Sequence, residues 1–374
     1  MRYSRLFILG LIWALSSCDN APSYSQKLEV DPDNEISLPL SNDMIMKSLS
    51  IFLAVENGKE FLWHSNLLDQ TITVYDLSAR KIVKKIMLDK KGPNSVGKTP
   101  TGFYPKNMDS IFVWSHSDNL LSMISSEGEL QFQLELSANV FAGEPSPWVG
   151  TSSPMHFRQP NNELILSTVV RIPPNKRQYS KAGAAAAINL EERAIRTLAN
   201  YPSVYDRGYW REHNFCNVSL APSLGKNDFY FSFGVDHSIR SIRGSSFEVR
   251  SKYLKDFKPI DNYYNSTKTY SNAGTQVLLQ GYYAALVTDE VRQKYYRLVS
   301  LPLSRDEIKK GIRSGRYSLI VLDKSKTVEG EYLIPQQLDP HMFFVSKRGL
   351  YMANKDAYKQ NEDLMTFSRL VLPQ

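Results

Sequence analysis

The sequence predicts an all-β protein, a six-bladed β-propeller closed by an N-terminal strand. Three observations favour this fold. The 374 residues include 21 Tyr, 17 Phe and 5 Trp, residue types that are common in strands. Short strand patterns separated by turn signals recur along the chain, whereas helical periodicity is scarce. The repeated unit has three or four strands and a spacing of roughly 40 to 60 residues, which is typical of propeller blades.

The N-terminus predicts a cleaved lipoprotein signal peptide over residues 1–17. The basic start MRYSR is followed by the apolar run LFILGLIWAL, which is too short to remain as a membrane-spanning helix. Leu15, Ser16 and Ser17 then precede Cys18, as in a bacterial lipobox. We therefore expect that Cys18 is lipidated and that this lipid anchors the protein to a membrane. Residues 18–27 are expected to form a polar tether. The alternative is an ordinary signal peptide with a chance cysteine.

The remainder, residues 28–374, is predicted to be one propeller domain. The stretch TITVYDLSARKIVKKIML at 71–88 is a clear hairpin, and similar units start near residues 51, 103, 155, 213, 273 and 341. The last unit supplies only three strands, so the free strand NEISLPL at 34–40 is expected to complete it and close the ring. A sandwich or a two-domain arrangement explains this spacing less well.

Two local features stand out within this frame. Residues 303–317 are predicted to contain the one short helix, with Ser304 as its cap and Gly315 after its end. Cys216 lies in the strand-like run HNFCNVSL and is predicted to be a buried structural thiol rather than a nucleophile.

The residues Gly92 to Thr99 match the phosphate-loop pattern of nucleotide-binding proteins. That pattern works only where a helix begins at the Gly-Lys-Thr, because the helix amides hold the phosphates. Here Pro100 follows Thr99 and disfavours helical geometry at that residue. We therefore predict a connecting loop between the first two blades and no nucleotide.

The charge pattern does not indicate a nucleic-acid partner. The formal net charge is +7, and removal of Arg2 and Arg5 with the signal peptide leaves +5. No Lys/Arg run resembles a phosphate-binding track. No cofactor is predicted either.

Histidines and tryptophans are the candidate ligand-binding residues. Several precede or follow strands that are expected to line the central channel. The candidates are Trp63, His64, Trp114, His116, His156, His213 and His341. No His-x-His, His-Glu-x-x-His or calcium-loop motif is present, so no metal site is predicted. The alternative is that these histidines are satisfied by backbone groups and that the aromatic side chains pack between blades.

The lipobox LSSC, the blade crossing KKGPNSVG and the six irregular units together resemble Bacteroidetes lipoproteins of a six-bladed, TolB-like propeller family of unknown function. The resemblance covers nearly all of the mature chain. It implies a location in the bacterial cell envelope, outside the cytoplasm, at the periplasmic face or the cell surface. The family has no established catalytic residues, so the resemblance assigns none to this chain.

Two functions are therefore expected from the sequence. The first is a lipid-anchored module that binds or assembles with an envelope protein or glycan through its channel mouth. The second is an extracytoplasmic saccharide lyase or hydrolase with channel histidines and carboxylates in its site. Propellers host both, so the fold alone does not separate them.

Overall fold

The computed structural model describes residues 26–66, 68–136, 145–170, 178–210, 212–225, 228–260, 269–313 and 315–372. In these ranges the chain forms six antiparallel sheets, which are the six blades of a β-propeller. The predicted fold class is therefore confirmed. The predicted signal peptide, Cys18 and most of the tether lie outside the described residues.

Blades 1 to 3 follow one another along the chain, each with its strands in sequence order from the centre outward. Blade 1 consists of β2 (Ile51–Glu56), β3 (Lys59–Asn66), β4 (Thr71–Asp76) and β5 (Lys81–Met87). Blade 2 consists of β6 (Pro100–Asn107), β7 (Ser110–Ser115), β8 (Leu120–Ile124) and β9 (Leu130–Glu135). Blade 3 consists of β10 (Pro145–Pro147), β11 (His156–Arg158), β12 (Glu163–Val170), β13 (Gly183–Asn189) and β14 (Ala194–Asn200).

Blades 4 to 6 complete the ring. Blade 4 consists of β15 (Val218–Pro222), β16 (Phe229–Phe233), β17 (Ser238–Ser241) and β18 (Ser246–Glu248). Blade 5 consists of β19 (Tyr282–Asp289), β20 (Lys294–Ser300), β21 (Tyr317–Asp323) and β22 (Val328–Leu333). Blade 6 consists of β23 (Leu338–Ser346), β24 (Gly349–Asn354), β25 (Leu364–Val371) and β1 (Glu29–Pro39). Four short α-helices accompany the strands in the described ranges, namely α1 (His213–Cys216), α2 (Thr269–Gln280), α3 (Arg305–Lys309) and α4 (Lys355–Gln360).

The N-terminal strand closes the propeller. β1 pairs antiparallel with β25, from Glu29 opposite Val371 to Pro39 opposite Leu364. It is the outermost strand of blade 6, while the other three strands of that blade come from the C-terminus. The closing strand predicted at 34–40 is thus present, and it starts five residues earlier than the sequence pattern indicated.

The apolar core lies between the blades. Buried side chains form four clusters among the described residues. One cluster joins blade 1 to blade 6, where Leu38 of the closing strand and Leu62 of β3 are fully buried. Strands in the middle of a blade, such as β4 and β12, are buried at every residue because each blade packs both of its faces against its neighbours.

Some predicted boundaries are wrong. The unit starts near 51, 103, 155 and 341 lie within a few residues of the first strands. Residues 213 and 273, however, lie in the helices α1 and α2, and the first strands of blades 4 and 5 begin at Val218 and Tyr282. The apolar run VLLQGYYAALV contains both the end of this helix and the start of the strand. Gly281 at φ +68° ends the helix, and Gly281 N–H donates to the Val277 carbonyl at 2.9 Å. Short apolar runs do not distinguish a helix end from a strand.

The helix predicted near residues 303–317 is present but shorter, as α3. Ser304 Oγ accepts from Glu307 N–H, and the Glu307 carboxylate accepts from Ser304 N–H, which is a complete capping box. It is not the one helix of the chain, since α1, α2 and α4 were not anticipated. No helix in the described ranges is long and apolar enough to cross a membrane.

Candidate functional site

The central channel is lined by the first strand of every blade and has a cavity at each end. We call the end where these strands finish the lower mouth and the end where they begin the upper mouth. The lower cavity, about 580 Å³, is lined mainly by apolar residues such as Leu53, Leu220, Val287 and Phe343. Exposed Val55 lies on its rim, 61% accessible. The lower mouth is therefore an apolar funnel.

His156 lies in the wall of this lower cavity. Its Nε2 is 3.3 Å from the carbonyl oxygen of Leu220, and its ring packs against Phe229 with centroids 5.5 Å apart. Burial lowers the pKa of His156 to about 4. The imidazole is therefore neutral at physiological pH and is held by a neighbouring blade, as the backbone-satisfied alternative predicted.

The upper cavity, about 360 Å³, receives side chains from all six blades. Its wall is mixed, with polar, aromatic and charged groups. The contributing residues include Lys47, Ser48, Thr101, Trp148, Thr151, His213, Asn214, Asn217, Tyr282, Asp339 and His341. A concave surface that combines a few polar groups with aromatic rings is the usual form of a small-ligand site.

One wall of the upper cavity is an aromatic group centred on Trp148. The Trp148 ring lies 4.1 Å from the His213 ring and 5.5 Å from the His116 ring, centroid to centroid. His116 Nδ1 is 3.3 Å from the carbonyl oxygen of Pro147, which orients its ring. The group combines residues from blades 2, 3 and 4, so it forms only when these three consecutive blades pack together.

The opposite wall carries His341 and its partners. Tyr317 OH is 3.0 Å from His341 Nε2. The backbone N–H of His341 donates to Asp339 Oδ1 at 2.9 Å. Burial lowers the pKa of His341, and the charges of Lys355 and Lys47 lower it further, while Asp339 opposes them. Burial and the neighbouring Tyr282 hydroxyl raise the pKa of Tyr317 well above its ordinary value. Both groups are therefore neutral at physiological pH, and the tautomer of His341 sets which of them donates in this hydrogen bond.

Three of the candidate residues do not reach the channel. Trp63 and His64 lie on β3, and Trp114 lies on β7, which are second strands rather than first strands. All three side chains are 1% exposed or less. His64 Nε2 is 3.0 Å from the Met46 carbonyl oxygen, and burial lowers the pKa of its ring. The expected channel position is wrong for these residues, because a second strand has the same local pattern as a first strand.

Cys216 is buried, as predicted, but in a different element. It ends helix α1 rather than lying in a strand, and it is 1% exposed. Its thiol donates to the carbonyl oxygen of Trp210 at 2.6 Å, and burial raises its pKa. A protonated, enclosed thiol has no nucleophilic character.

The loop with the phosphate-loop pattern adopts a different structure from that of a nucleotide site. Strand β6 begins at Pro100, directly after Thr99, so no helix starts there. The Lys98 N–H donates to Asp118 Oδ2 at 2.6 Å, and the Thr99 N–H donates to Ser115 Oγ at 3.2 Å. These backbone amides bind a carboxylate and a hydroxyl of the protein itself. The predicted connecting loop is confirmed.

Among the described residues, no three or more His, Cys, Asp or Glu side chains come together so that they could hold a metal ion. The histidines are distributed over the two ends of the channel and over the blade interiors.

Comparison with known proteins supplies the family. Residues 23–331 match the family described as a domain of unknown function, DUF4221. The chain belongs to the DUF4221 family. The resemblance to a propeller family of unknown function, inferred from the sequence, is confirmed. No curated protein sequence matches this DUF4221 chain significantly.

Two solved structures share the fold of this DUF4221 protein. A DUF4221 family member from Bacteroides vulgatus ATCC 8482 has a TM-score of 0.79 at 22% identity, with 92% of this chain and 98% of that chain covered. A candidate exported protein from Bacteroides fragilis NCTC 9343 has a TM-score of 0.54 at 11% identity, with 92% of this chain and 96% of that chain covered. At these identities the similarity establishes the fold.

Sequence reasoning missed several residues at the upper mouth of the DUF4221 chain. Lys47, Tyr317, Asp339 and Lys355 all lie there beside His341. The turn DPH at 339–341, at the start of an inner strand, was a usable signal for Asp339. Lys47 and Lys355 had none, because they come from distant parts of the chain and line adjoining cavities only when blade 6 closes against blade 1.

Proposed function

We propose that this DUF4221 protein is a lipid-anchored binding propeller of the bacterial cell envelope, and that its upper cavity binds a glycan. The observation that carries the proposal is the upper cavity itself. Every blade contributes to its wall, and Trp148 with its histidine neighbours provides an aromatic face beside polar groups. Sugars offer both apolar ring faces and hydroxyls, which match such a wall.

The size of the cavity favours a glycan over a protein partner. A volume of about 360 Å³ lies within the range of small-ligand pockets, roughly 300 to 1,000 Å³. Stable protein interfaces instead bury about 800 Å² on each side over a broad surface. A protein partner is the alternative occupant, and it would have to cover the rim rather than enter the cavity.

The envelope location rests on two supports. The sequence carries the basic start, the apolar run and Leu15-Ser16-Ser17-Cys18 in the order that lipoprotein export requires. One structural neighbour from Bacteroides fragilis is itself named as a candidate exported protein. Lipidation at Cys18 would hold the propeller at a membrane surface outside the cytoplasm.

Thermal melting tests glycan binding. Full-length protein in mild detergent would be melted with a panel of oligosaccharides. A ligand at about 100 times its dissociation constant stabilises a protein by roughly 2.7 kcal/mol, which raises the melting temperature measurably. We expect at least one oligosaccharide to do so, and Trp148→Ala to abolish the effect.

The control is Val55→Ala at the lower mouth, which should leave the shift unchanged. If Trp148→Ala responds as strongly as the unmodified protein, the upper cavity is not the site. If no oligosaccharide stabilises the protein, glycan binding is refuted and a protein partner takes its place as the leading function.

The alternative, a saccharide lyase or hydrolase, is favoured by one observation. The Tyr317–His341 hydrogen bond places two proton-transfer groups together at the cavity wall. Mass spectrometry of the same oligosaccharide mixtures would distinguish the two functions. Shortened or unsaturated products that vanish in Tyr317→Phe support the enzyme, whereas intact ligands support binding alone.

A further inference from the structure

A second cavity adjoins the upper cavity and shares part of its wall. We call it the side cavity. It has a volume of about 520 Å³ and lies between blades 5 and 6. Asp339 and His341 belong to the walls of both cavities. A ligand in the upper cavity could therefore extend past His341 into the side cavity.

Two ammonium groups flank the shared wall. Lys47 lies on the upper-cavity side and is exposed, and Lys355 lies on the side-cavity side and is half-buried. Within the described residues, neither side chain forms an ion pair with a carboxylate. Lys47 lines the upper cavity, Lys355 lines the side cavity, and His341 lines both, so the two ammonium groups approach His341 from different cavities.

The shared wall carries less negative charge than positive charge. In the part of the chain that the structure describes, Asp339 supplies the one carboxylate that lines either cavity. Its Oδ1 already accepts the backbone N–H of His341. Arg316 also lines the side cavity, but it pairs with Glu307 at 3.3 Å. Two lysines against one aspartate leave the wall with excess positive charge, which attracts anions.

The imidazole of His341 adds a polar group to the shared wall. Its Nε2 is 3.0 Å from Tyr317 OH, and this contact fixes the orientation of the ring. In the tautomer that carries its proton on Nδ1, the ring offers a hydrogen-bond donor to a ligand oxygen at the junction of the two cavities. A charged ligand oxygen would strengthen that bond.

We propose that the junction of the upper and side cavities binds the anionic group of an acidic saccharide, with Lys47, Lys355 and His341 as the recognising groups. The inference rests on the proposed glycan-binding function and names the chemical class of the glycan. The anionic group is a carboxylate or a sulfate, which share negative charge and acceptor oxygens.

Matched ligands test the class. Full-length protein in mild detergent would be titrated calorimetrically with galacturonate oligomers, with the same oligomers after reduction of their carboxyl groups to neutral galactose, and with sulfated galactose oligomers. We expect an acidic oligomer to bind at least about tenfold more tightly than the neutral one, a difference of about 1.4 kcal/mol. A comparison of the galacturonate oligomers with the sulfated galactose oligomers identifies which anion is preferred.

Lysine variants test the site. Lys355→Gln and Lys47→Gln should each weaken binding of the acidic oligomer about fivefold to tenfold and leave the neutral oligomer unchanged. Lys359→Gln, on the same helix α4 but 73% exposed and paired with Asp356, is the matched control and should change neither. Added salt should weaken binding of the acidic oligomers and leave binding of the neutral oligomer unchanged.

Each outcome separates this inference from the function on which it rests. Equal affinity for acidic and neutral oligomers overturns the anion site but leaves glycan binding intact. If Lys355→Gln weakens binding of both oligomers equally, Lys355 has a packing role, and the anion site is also overturned. If none of the three ligand classes binds, this inference is refuted. The wider oligosaccharide panel then decides glycan binding separately.

Discussion

Arg297 is the residue whose burial is least expected from its charge. It lies on β20 and is fully buried. Its Nε donates to Ser232 Oγ at 3.0 Å. Its two terminal nitrogens donate to the carbonyl oxygens of Asp236, His237 and Val249 at 2.6 to 2.8 Å. The guanidinium also lies 3.3 Å above the Tyr283 ring, and burial lowers its pKa to about 10. One side chain thus joins blade 4 to blade 5.

Replacement of Arg297 by Met should destabilise the protein by about 3 to 5 kcal/mol, because several buried carbonyl oxygens lose their donor. Urea unfolding monitored by tryptophan fluorescence measures the loss. Arg240→Met is the control, since Arg240 forms a half-exposed pair with Asp236 and should cost about 1 kcal/mol or less. Equal losses in the two variants would contradict the assigned role.

His156 couples stability to pH. The ring takes up a proton near pH 6.5 when the chain is unfolded but only near pH 4 when it is folded. Between these values the unfolded state binds more protons, so stability is complete above about pH 6.5 and falls as the pH is lowered toward 4. The contribution is at most about 3 kcal/mol.

We expect His156→Gln to reduce the slope of unfolding free energy against pH between 6.5 and 4.5. The slope should not vanish, because the pKa values of His64, His237 and His341 are lowered as well. Denaturant unfolding at several pH values measures it. A slope identical to that of the unmodified protein would show that His156 is not buried in its neutral form.

At the scale of elements, the closing strand β1 joins the two ends of the described chain. Leu38 on this strand is fully buried between blades 6 and 1. Ser37 Oγ and Thr366 Oγ1 are 3.0 Å apart across the β1–β25 pair. Without β1, the edge of β25 would be exposed, and exposed edges promote aggregation.

Leu38→Ala should therefore cost about 2 to 5 kcal/mol, the usual range for a large-to-small change in a tight core. Glu29→Ala, at the exposed start of the same strand, should change stability by less than about 0.5 kcal/mol. Chemical denaturation compares the two. A small loss in Leu38→Ala would mean that the ring does not depend on this strand for its closure.

At the scale of the whole molecule, the two mouths of the channel differ in character. The lower mouth is apolar, whereas the upper mouth with its side cavity combines an aromatic wall, a Tyr–His pair and two lysines that form no ion pair within the described ranges. The upper mouth therefore carries both proposals. A tethered propeller at a membrane surface would present this mouth to soluble glycans without leaving the envelope.

The membrane anchor is a separate prediction. Cys18→Ala should abolish labelling by a fatty-acid probe and shift the full-length protein out of the membrane fraction. Ser17→Ala keeps a small residue before the cysteine and should be labelled normally, which makes it the matched control. Undiminished labelling of Cys18→Ala would refute lipidation at this residue.

The sequence by itself determined the blade architecture, the closing strand, the buried Cys216 and the loop at Gly92–Thr99. These features depend on local patterns, such as strand alternation, turn residues and the proline after Thr99. Ser304 and Glu307 likewise marked α3 because a capping box is local.

Only the tertiary structure decided which candidate residues face the channel. A first strand and a second strand have the same alternation and differ only in their distance from the axis, so Trp63 and His64 could not be told apart from channel residues. The junction of Lys47, Lys355 and the Tyr317–His341 pair also depends on ring closure. It assembles residues from segments far apart in sequence, and no local pattern records their proximity.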